Sequence, residues 1–380
     1  MKVKLLGLAV AAAFAANGTP VLAQTVIKIG HVGPLTGSIA HLGKDNELGG
    51  KLAVEELNAK KLKIGGRDVS FELLSEDDAA DPKQGTAAAQ KLVDAKVAGV
   101  IGHLNSGTSI PASRIYSDAG IAQISPSSTA PKYTQQGFKT TFRVVANDGQ
   151  LGGTLGRYAV KELQSKAIAI IDDRSAYGQG VADEFQKAVR AAGGKIVGRE
   201  FTTDKATDFN AILTKLKGAR PDLIFFGGMD AVGGPMLRQM KQLGLENVKF
   251  MGGDGICTGE LPKLAGDALG NEKIVCAEAG GVTADRVAGM DAFKKRFKEK
   301  YNVDVQLYAP YVYDAVNVLV AAMQKANSTD PKKYLPELHK ISYEGVTGKI
   351  SFDQRGDIKD GALTLYTYKN GQKTQMMVVK

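Results

Sequence analysis

Cysteine and histidine are scarce in this sequence, with two of the first and four of the second in 380 residues. Two cysteines exclude a small scaffold stapled by several disulfides. His31, His41, His103 and His339 are too scattered to form the ligand spacing of a zinc site. Beyond the first two dozen residues no apolar run approaches the roughly 18–20 needed to cross a bilayer, which excludes a later membrane helix. Blocks of one charge are also missing. Lys294, Lys295, Arg296 and Lys298 read as the solvated face of one amphipathic helix rather than a nucleic-acid-binding patch. Nucleotide and nucleophile motifs are lacking: no G-x-G-x-x-G follows a strand, and there is no Walker loop and no G-x-S-x-G elbow. Gly30-His31-Val32-Gly33 and Gly253-Asp254-Gly255 have the wrong spacing for the first of these. Asp77, Asp78 and Asp81 lack the ligand order of a calcium loop and read as helix-capping and surface acids. Nothing calls for a cofactor, a metal or a catalytic residue.

What is there fits an exported protein. Lys2 and Lys4 form a basic n-region, Leu5 to Ala16 an apolar stretch, and Val21-Leu22-Ala23 a small-residue cleavage site. Residues 1–23 are therefore expected to be a signal peptide, with a mature chain beginning near Gln24 in the periplasm. Losing Lys2 and Lys4 takes the net charge from +9 to +7. In an oxidising compartment, Cys257 and Cys276 point to a disulfide closing a loop of about 20 residues. Two buried thiols, or a metal site with no histidine nearby, are the alternatives. Length suits two domains, and 43% hydrophobic with 23% charged residues suits globular cores.

The chain alternates strands and helices. Val26–Val32 reads as a strand, followed by a helix through Asn58, a Gly65-Gly66 turn and the strand Asp68–Leu74. Asp81-Pro82 starts the next helix, and Val97–Ile101 the next strand. That strand leads into Gly102-His103-Leu104-Asn105-Ser106-Gly107-Thr108-Ser109-Ile110-Pro111, a hydroxyl-rich turn before a helix expected to open at Pro111. Free N–H groups at such a junction suit an anion such as a carboxylate, although an ordinary capped helix start has the same composition. A second hydroxyl loop, Ser125–Pro131, follows the strand Gln123-Ile124, and loops beyond neighbouring strand ends converge. After an extended crossover near Val145 the alternation resumes. Helices are expected at Gln150–Leu163, through Val189, at Phe209–Leu216 and at Pro235–Leu243; strands at Ala167–Ile171, Lys195–Phe201, Leu223–Phe226, Lys249–Met251 and Lys273–Ala277. Asp254 stands in a Gly-Gly-Asp-Gly turn past one strand and Tyr177 in a loop past another, both candidates to face a cleft. Met290–Tyr301 and Tyr308–Gln324 return to the first domain, and a hairpin turns at Asn370-Gly371. The result is an α/β protein of two doubly wound three-layer lobes.

Gly102-His103-Leu104 with Ser106, Pro111-Ala112-Ser113, Thr129-Ala130-Pro131, Asp81-Pro82-Lys83-Gln84, Tyr177-Gly178 and Met251-Gly252 together resemble the leucine/isoleucine/valine-binding proteins of branched-chain amino-acid ABC importers. The likeness runs over essentially the whole mature chain. It implies a type I periplasmic binding fold, with lobe 1 at 24–145 plus 282–346 and lobe 2 at 146–281 plus 347–380. Crossovers are expected near Val145, Gly281 and Gly348. It also implies an α-carboxylate held by first-lobe hydroxyls and N–H groups at Ser106, Ser127 and Thr129, with Asn105 and Ser128 next to them as further ligand-binding candidates. Asp254, where the family usually has glutamate, would take the α-ammonium. Leu42 and Met229 stand where the branched-chain binders carry tyrosines, Tyr177 is kept, and Tyr308 replaces a phenylalanine. The family's first-lobe disulfide falls at Ala80 and Asn105 here and is absent. The implied function is a non-enzymatic, monomeric receptor passing a hydrophobic or small α-amino acid to a membrane permease, with no nucleic-acid partner. Its rivals are the same fold on an aromatic acid, amide or urea, and an exported enzyme or sensor.

Overall fold

The computed structural model describes residues 24–283 and 286–379, so the expected signal peptide lies outside the described residues. Two sheets organise the chain. The first has six strands in the spatial order Lys63–Ile64, Arg67–Asp77, Thr25–Gly33, Val100–Gly102, Gln123–Ser125 and Thr141–Arg143, all parallel except the first short pair. The second has seven, with Ile196–Phe201, Ile168–Asp172, Leu223–Gly227, Lys249–Gly252 and Ile274–Glu278 parallel, and the hairpin Leu363–Lys369 and Gln372–Val379 added antiparallel at one edge. The hairpin turns at Asn370 and Gly371, both at positive φ as a tight type I′ turn requires.

Each sheet reverses its winding once. In the first, the reversal lies between Thr25–Gly33 and Val100–Gly102; in the second, between Ile168–Asp172 and Leu223–Gly227. Loops beyond the carboxyl ends of these strands separate to opposite faces and leave a crevice, the usual ligand position in open α/β sheets. The central strands are buried on both faces, which is why Ile168–Asp172 and Leu223–Gly227 read as unbroken apolar runs rather than alternating ones. Against them pack helices such as Ala176–Ala191, whose Phe185 stacks on Phe225 with ring centres 3.9 Å apart. A fully buried phenylalanine contributes on the order of 2–3 kcal/mol of transfer free energy.

The helix Ala309–Lys325 packs on Ala40–Ala59 and on the first sheet. Cys257 and Cys276 are joined, tying the turn after Lys249–Gly252 to the neighbouring strand. No helix among the described residues is long and apolar enough to cross a membrane.

Two helix starts differ from the sequence reading. Ser106–Asp118 begins five residues before Pro111, and Asp230–Gln242 five before Pro235. In each the proline is the sixth helical residue. Its missing N–H would have bonded the carbonyl four residues back, at Gly107 or Ala231, so one bond is lost near an end where few neighbours depend on it.

Candidate functional site

The stretch that joins Val100–Gly102 to the helix Ser106–Asp118 is where the site starts. Gly102 has φ +138° and lies so close to Thr25–Gly33 that a Cβ there would meet the Val32 carbonyl oxygen at 2.6 Å, so only glycine serves. His103 is buried beneath, its Nδ1 3.1 Å from Asp78 Oδ2 and its Nε2 3.0 Å from the Tyr116 hydroxyl. It is part of the scaffold. The N-cap, Asn105, is extended, and its carbonyl accepts from the N–H groups of Thr108 (3.1 Å) and Ser109 (2.9 Å). That leaves the first-turn N–H groups of Ser106 and Gly107 without intrahelical acceptors, at the positive end of the helix dipole.

Hydroxyls from the second loop fasten this junction. Ser125 Oγ donates to the His103 carbonyl at 2.9 Å, Ser127 Oγ to the Leu104 carbonyl at 3.0 Å, and Ser128 Oγ to both carbonyls. Ser106 Oγ accepts from the Ala130 N–H at 3.2 Å. Arg143, fully buried, holds the loop from below: its guanidinium donates to the Ser128 and Ala130 carbonyls and to Asp357. Asp357 lies more than two hundred residues downstream, and no local signal in the sequence announces the pair.

From the second lobe, Asp254 enters on the turn after Lys249–Gly252. Gly253 lets the turn pass the Tyr177 hydroxyl, which a Cβ would approach to 2.6 Å. The Tyr177 hydroxyl accepts from the Gly255 N–H at 2.9 Å, and the Tyr308 hydroxyl donates to Asp254 Oδ2 at 2.8 Å. Asp254 Oδ1 has no partner. Burial pushes this carboxyl up to about 6, against the opposing pull of the Tyr177 and Tyr308 hydroxyls.

Asn105, Ser106, Ser127, Tyr177, Met229, Asp254 and Tyr308 surround one small chamber of about 10 Å3, the room of roughly one water. Three predicted residues are not on its wall. Leu42 is fully buried in the hydrophobic core, because its side chain turns inward from the helix Ala40–Ala59. Ser128 is spent on the carbonyls of His103 and Leu104. Thr129 is buried and absent from the chamber's lining, its carbonyl accepting from the Asp148 N–H at 2.9 Å.

Three further residues serve the site without having been read from the sequence. Asp148, first in the helix Asp148–Lys161, is buried beside Thr129 and Asp254; burial lifts its carboxyl well above the usual range, the Thr129 hydroxyl opposes this, and the charge of Asp254 adds to it. Its place just past the strand Thr141–Arg143 was the available clue. Asp45 accepts from the backbone N–H groups of Gln306, Leu307, Tyr308 and Ala309, at 2.8–3.1 Å, and so sets Tyr308 in place. His41 reaches across the cleft to Asp230, Nε2 to Oδ2 2.9 Å, and Asp230 Oδ2 also accepts from Thr258 Oγ1. Burial lowers the His41 pKa, but the hydrogen bond and charge of Asp230 outweigh it and leave it raised.

The two lobes are thus shut on the chamber, with backbone donors on one wall and an acid on the other. Among the described residues no group of three or more His, Cys, Asp or Glu side chains has the arrangement to hold a metal ion.

A family model for periplasmic binding proteins matches residues 26–373. The leucine-, isoleucine-, valine-, threonine- and alanine-binding protein of Pseudomonas aeruginosa is 35% identical over 93% of this chain and 93% of its own length. Among solved structures, a leucine-binding protein from Thermotoga maritima superposes with a TM-score of 0.84 at 28% identity, covering 93% of this chain and 98% of that one. The branched-chain amino-acid transporter substrate-binding protein of Streptococcus pneumoniae, solved in complex with isoleucine, gives 0.82 at 28% identity, covering 93% and 99%.

Proposed function

The chain belongs to the periplasmic binding protein family, and on that premise we propose that it is a receptor that closes its two lobes on an aliphatic α-amino acid. The single observation that carries this reading is the pairing of opposite chemistries across one chamber. The Ser106 N–H on the chamber wall, with the Gly107 N–H next to it in the lining of an adjoining cavity, offers a seat for a carboxylate, and Asp254 Oδ1, buried and unpartnered, offers one for an ammonium. A zwitterion satisfies both at once. The relatives' names, and the isoleucine in one of their structures, support the amino-acid class and favour small or branched side chains.

Closure is the working step. The ligand binds the first-lobe donors, and its ammonium then draws Asp254 and Tyr177 in from the second lobe. The Tyr308–Asp254 and His41–Asp230 bonds form only between closed lobes, so they add to the differential contacts that shift the population toward the shut form. That form is the one recognised by the permease of an ABC importer. We place lobe 1 at 24–145 plus 282–346 and lobe 2 at 146–281 plus 347–380, with crossovers near Val145, Gly281 and Gly348, and the monomer in the periplasm after removal of residues 1–23. The role is binding, without catalysis.

A thermal-unfolding panel tests the ligand class. A ligand at a hundred times its Kd adds about 2.7 kcal/mol to the stability of the closed form. Leucine, isoleucine, valine or alanine should produce this shift; stabilisation by benzoate, amides or urea, with none by any amino acid, would refute the reading.

A further inference from the structure

Toward the mouth of the cleft the chamber adjoins a second cavity of about 430 Å3, which shares Asn105, Tyr177 and Met229 as its inner wall. That volume lies in the range of small-molecule pockets, and exceeds what a branched aliphatic side chain fills. The chamber behind has room for about one water and has to widen even for a head group, so a side chain attached to that head group leaves through the shared wall.

Asp173 stands in the wall of the outer cavity, and it is 2% exposed. Its Oδ1 accepts from the Ser175 N–H at 2.9 Å, and its Oδ2 has no partner. Buried carboxylate oxygens are nearly always paired, and this one belongs neither to the chamber nor to an ion pair. Burial pushes the Asp173 carboxyl up to about 6, the hydrogen bonds from Ser175 opposing this. Two cations share the lining: Arg174 is engaged over the Phe201 ring at 3.8 Å and beside Asp172, and Lys205 stands with Asp204 in the same wall. Ala79, Pro82, Ala176 and Ala231 line the approach with short apolar surface that a chain of methylenes can follow.

We propose that the outer cavity with Asp173 is a side-chain subsite, which extends the ligand class to α-amino acids with a linear side chain ending in an N–H donor. This rests on the zwitterion reading of the inner chamber. The donor is an amide or an ammonium, and glutamine and lysine serve as the two arms that tell them apart.

The test is calorimetric titration of the mature protein with alanine as the head-group reporter, glutamine and lysine as donors, and methionine as a donor-free chain of similar length. In the wild type, glutamine or lysine should bind at least tenfold more tightly than methionine. In Asp173→Asn, which keeps the Oδ1 acceptor and turns Oδ2 into a donor, that preference should fall at least tenfold while alanine affinity stays within twofold. An unchanged donor-to-methionine ratio in Asp173→Asn overturns the subsite. If Asp173→Asn also weakens alanine, Ala176→Phe fills the cavity from an exposed position. It should cut glutamine and lysine affinity at least tenfold and spare alanine, and unchanged glutamine and lysine affinity there overturns the proposal too. Failure of every amino acid, alanine included, on the wild type would remove the zwitterion reading itself, a result distinct from the loss of the subsite alone.

Discussion

The two walls of the chamber are built differently. On the first-lobe side, recognition is left to backbone: the Ser106 and Gly107 N–H groups at a helix start, locked by hydroxyls from the Ser125–Ser128 loop and by the buried Arg143. On the second-lobe side it is left to side chains, Asp254 with Tyr177 and, behind them, Asp148. A backbone wall is rigid and tolerates substitution, since almost any residue supplies an N–H. A side-chain wall is tunable and fragile, since one carboxylate carries the opposite charge.

The sharpest way to break this asymmetry is Asp254→Ala. It leaves a buried ammonium unpaired, at a cost of about 3–5 kcal/mol. At about 1.4 kcal/mol per decade, leucine affinity by calorimetry should fall a hundredfold to a few thousandfold. Removal of the Cys257–Cys276 bond, which braces the wall carrying Asp254, acts on stability instead. With the two cysteines 19 residues apart, Cys257→Ala with Cys276→Ala should cost roughly 3 kcal/mol. In thermal unfolding that is a loss of roughly 6–12 °C, while affinity changes less than threefold.

Gly107→Pro tests the backbone wall. Proline is tolerated in a first helical turn, and a Cβ at Gly107 meets nothing within 4 Å. Deleting that one N–H should weaken binding by about 1.5–3 kcal/mol without lowering the melting temperature. An ordinary side chain, as in Gly107→Ala, should do almost nothing.

The smallest effect is expected at His41, whose side chain is 21% exposed. The pair with Asp230 is worth at most about 1 kcal/mol. Because the His41 pKa is raised in the closed form, its contribution is fully present below the ordinary histidine value and disappears as pH rises through the raised one. Affinity of His41→Gln should therefore fall short of wild type at pH 6 and match it at pH 8.5. Asp254 has the opposite sign: protonation below about 6 removes the ammonium partner, so wild-type affinity should decline there, and the decline should be absent in Asp254→Ala.

Central strands were legible in the sequence because stretches such as Leu223–Gly227 are unbroken apolar runs that end at glycine, and the ends of such strands pointed to Ser106, Tyr177 and Asp254. What escaped had physical causes. Pro111 and Pro235 look like helix starts, because proline favours the first turn, yet both sit six residues in. Ser128 looks like a ligand group by composition, but a hydroxyl bonds whichever acceptor is nearest, here the carbonyls of His103 and Leu104. Leu42 matched a family position, yet here it is buried in the core and absent from the chamber's lining. His41 and Asp230 are 189 residues apart, and only closure of the fold brings them together.

The most direct test of the account compares leucine with 4-methylpentanoate, the same molecule without its ammonium, on wild type and Asp254→Ala by calorimetry. The account predicts that wild type prefers leucine by at least a hundredfold, and that the preference collapses to within a fewfold in the variant. An equal preference in both proteins would contradict it.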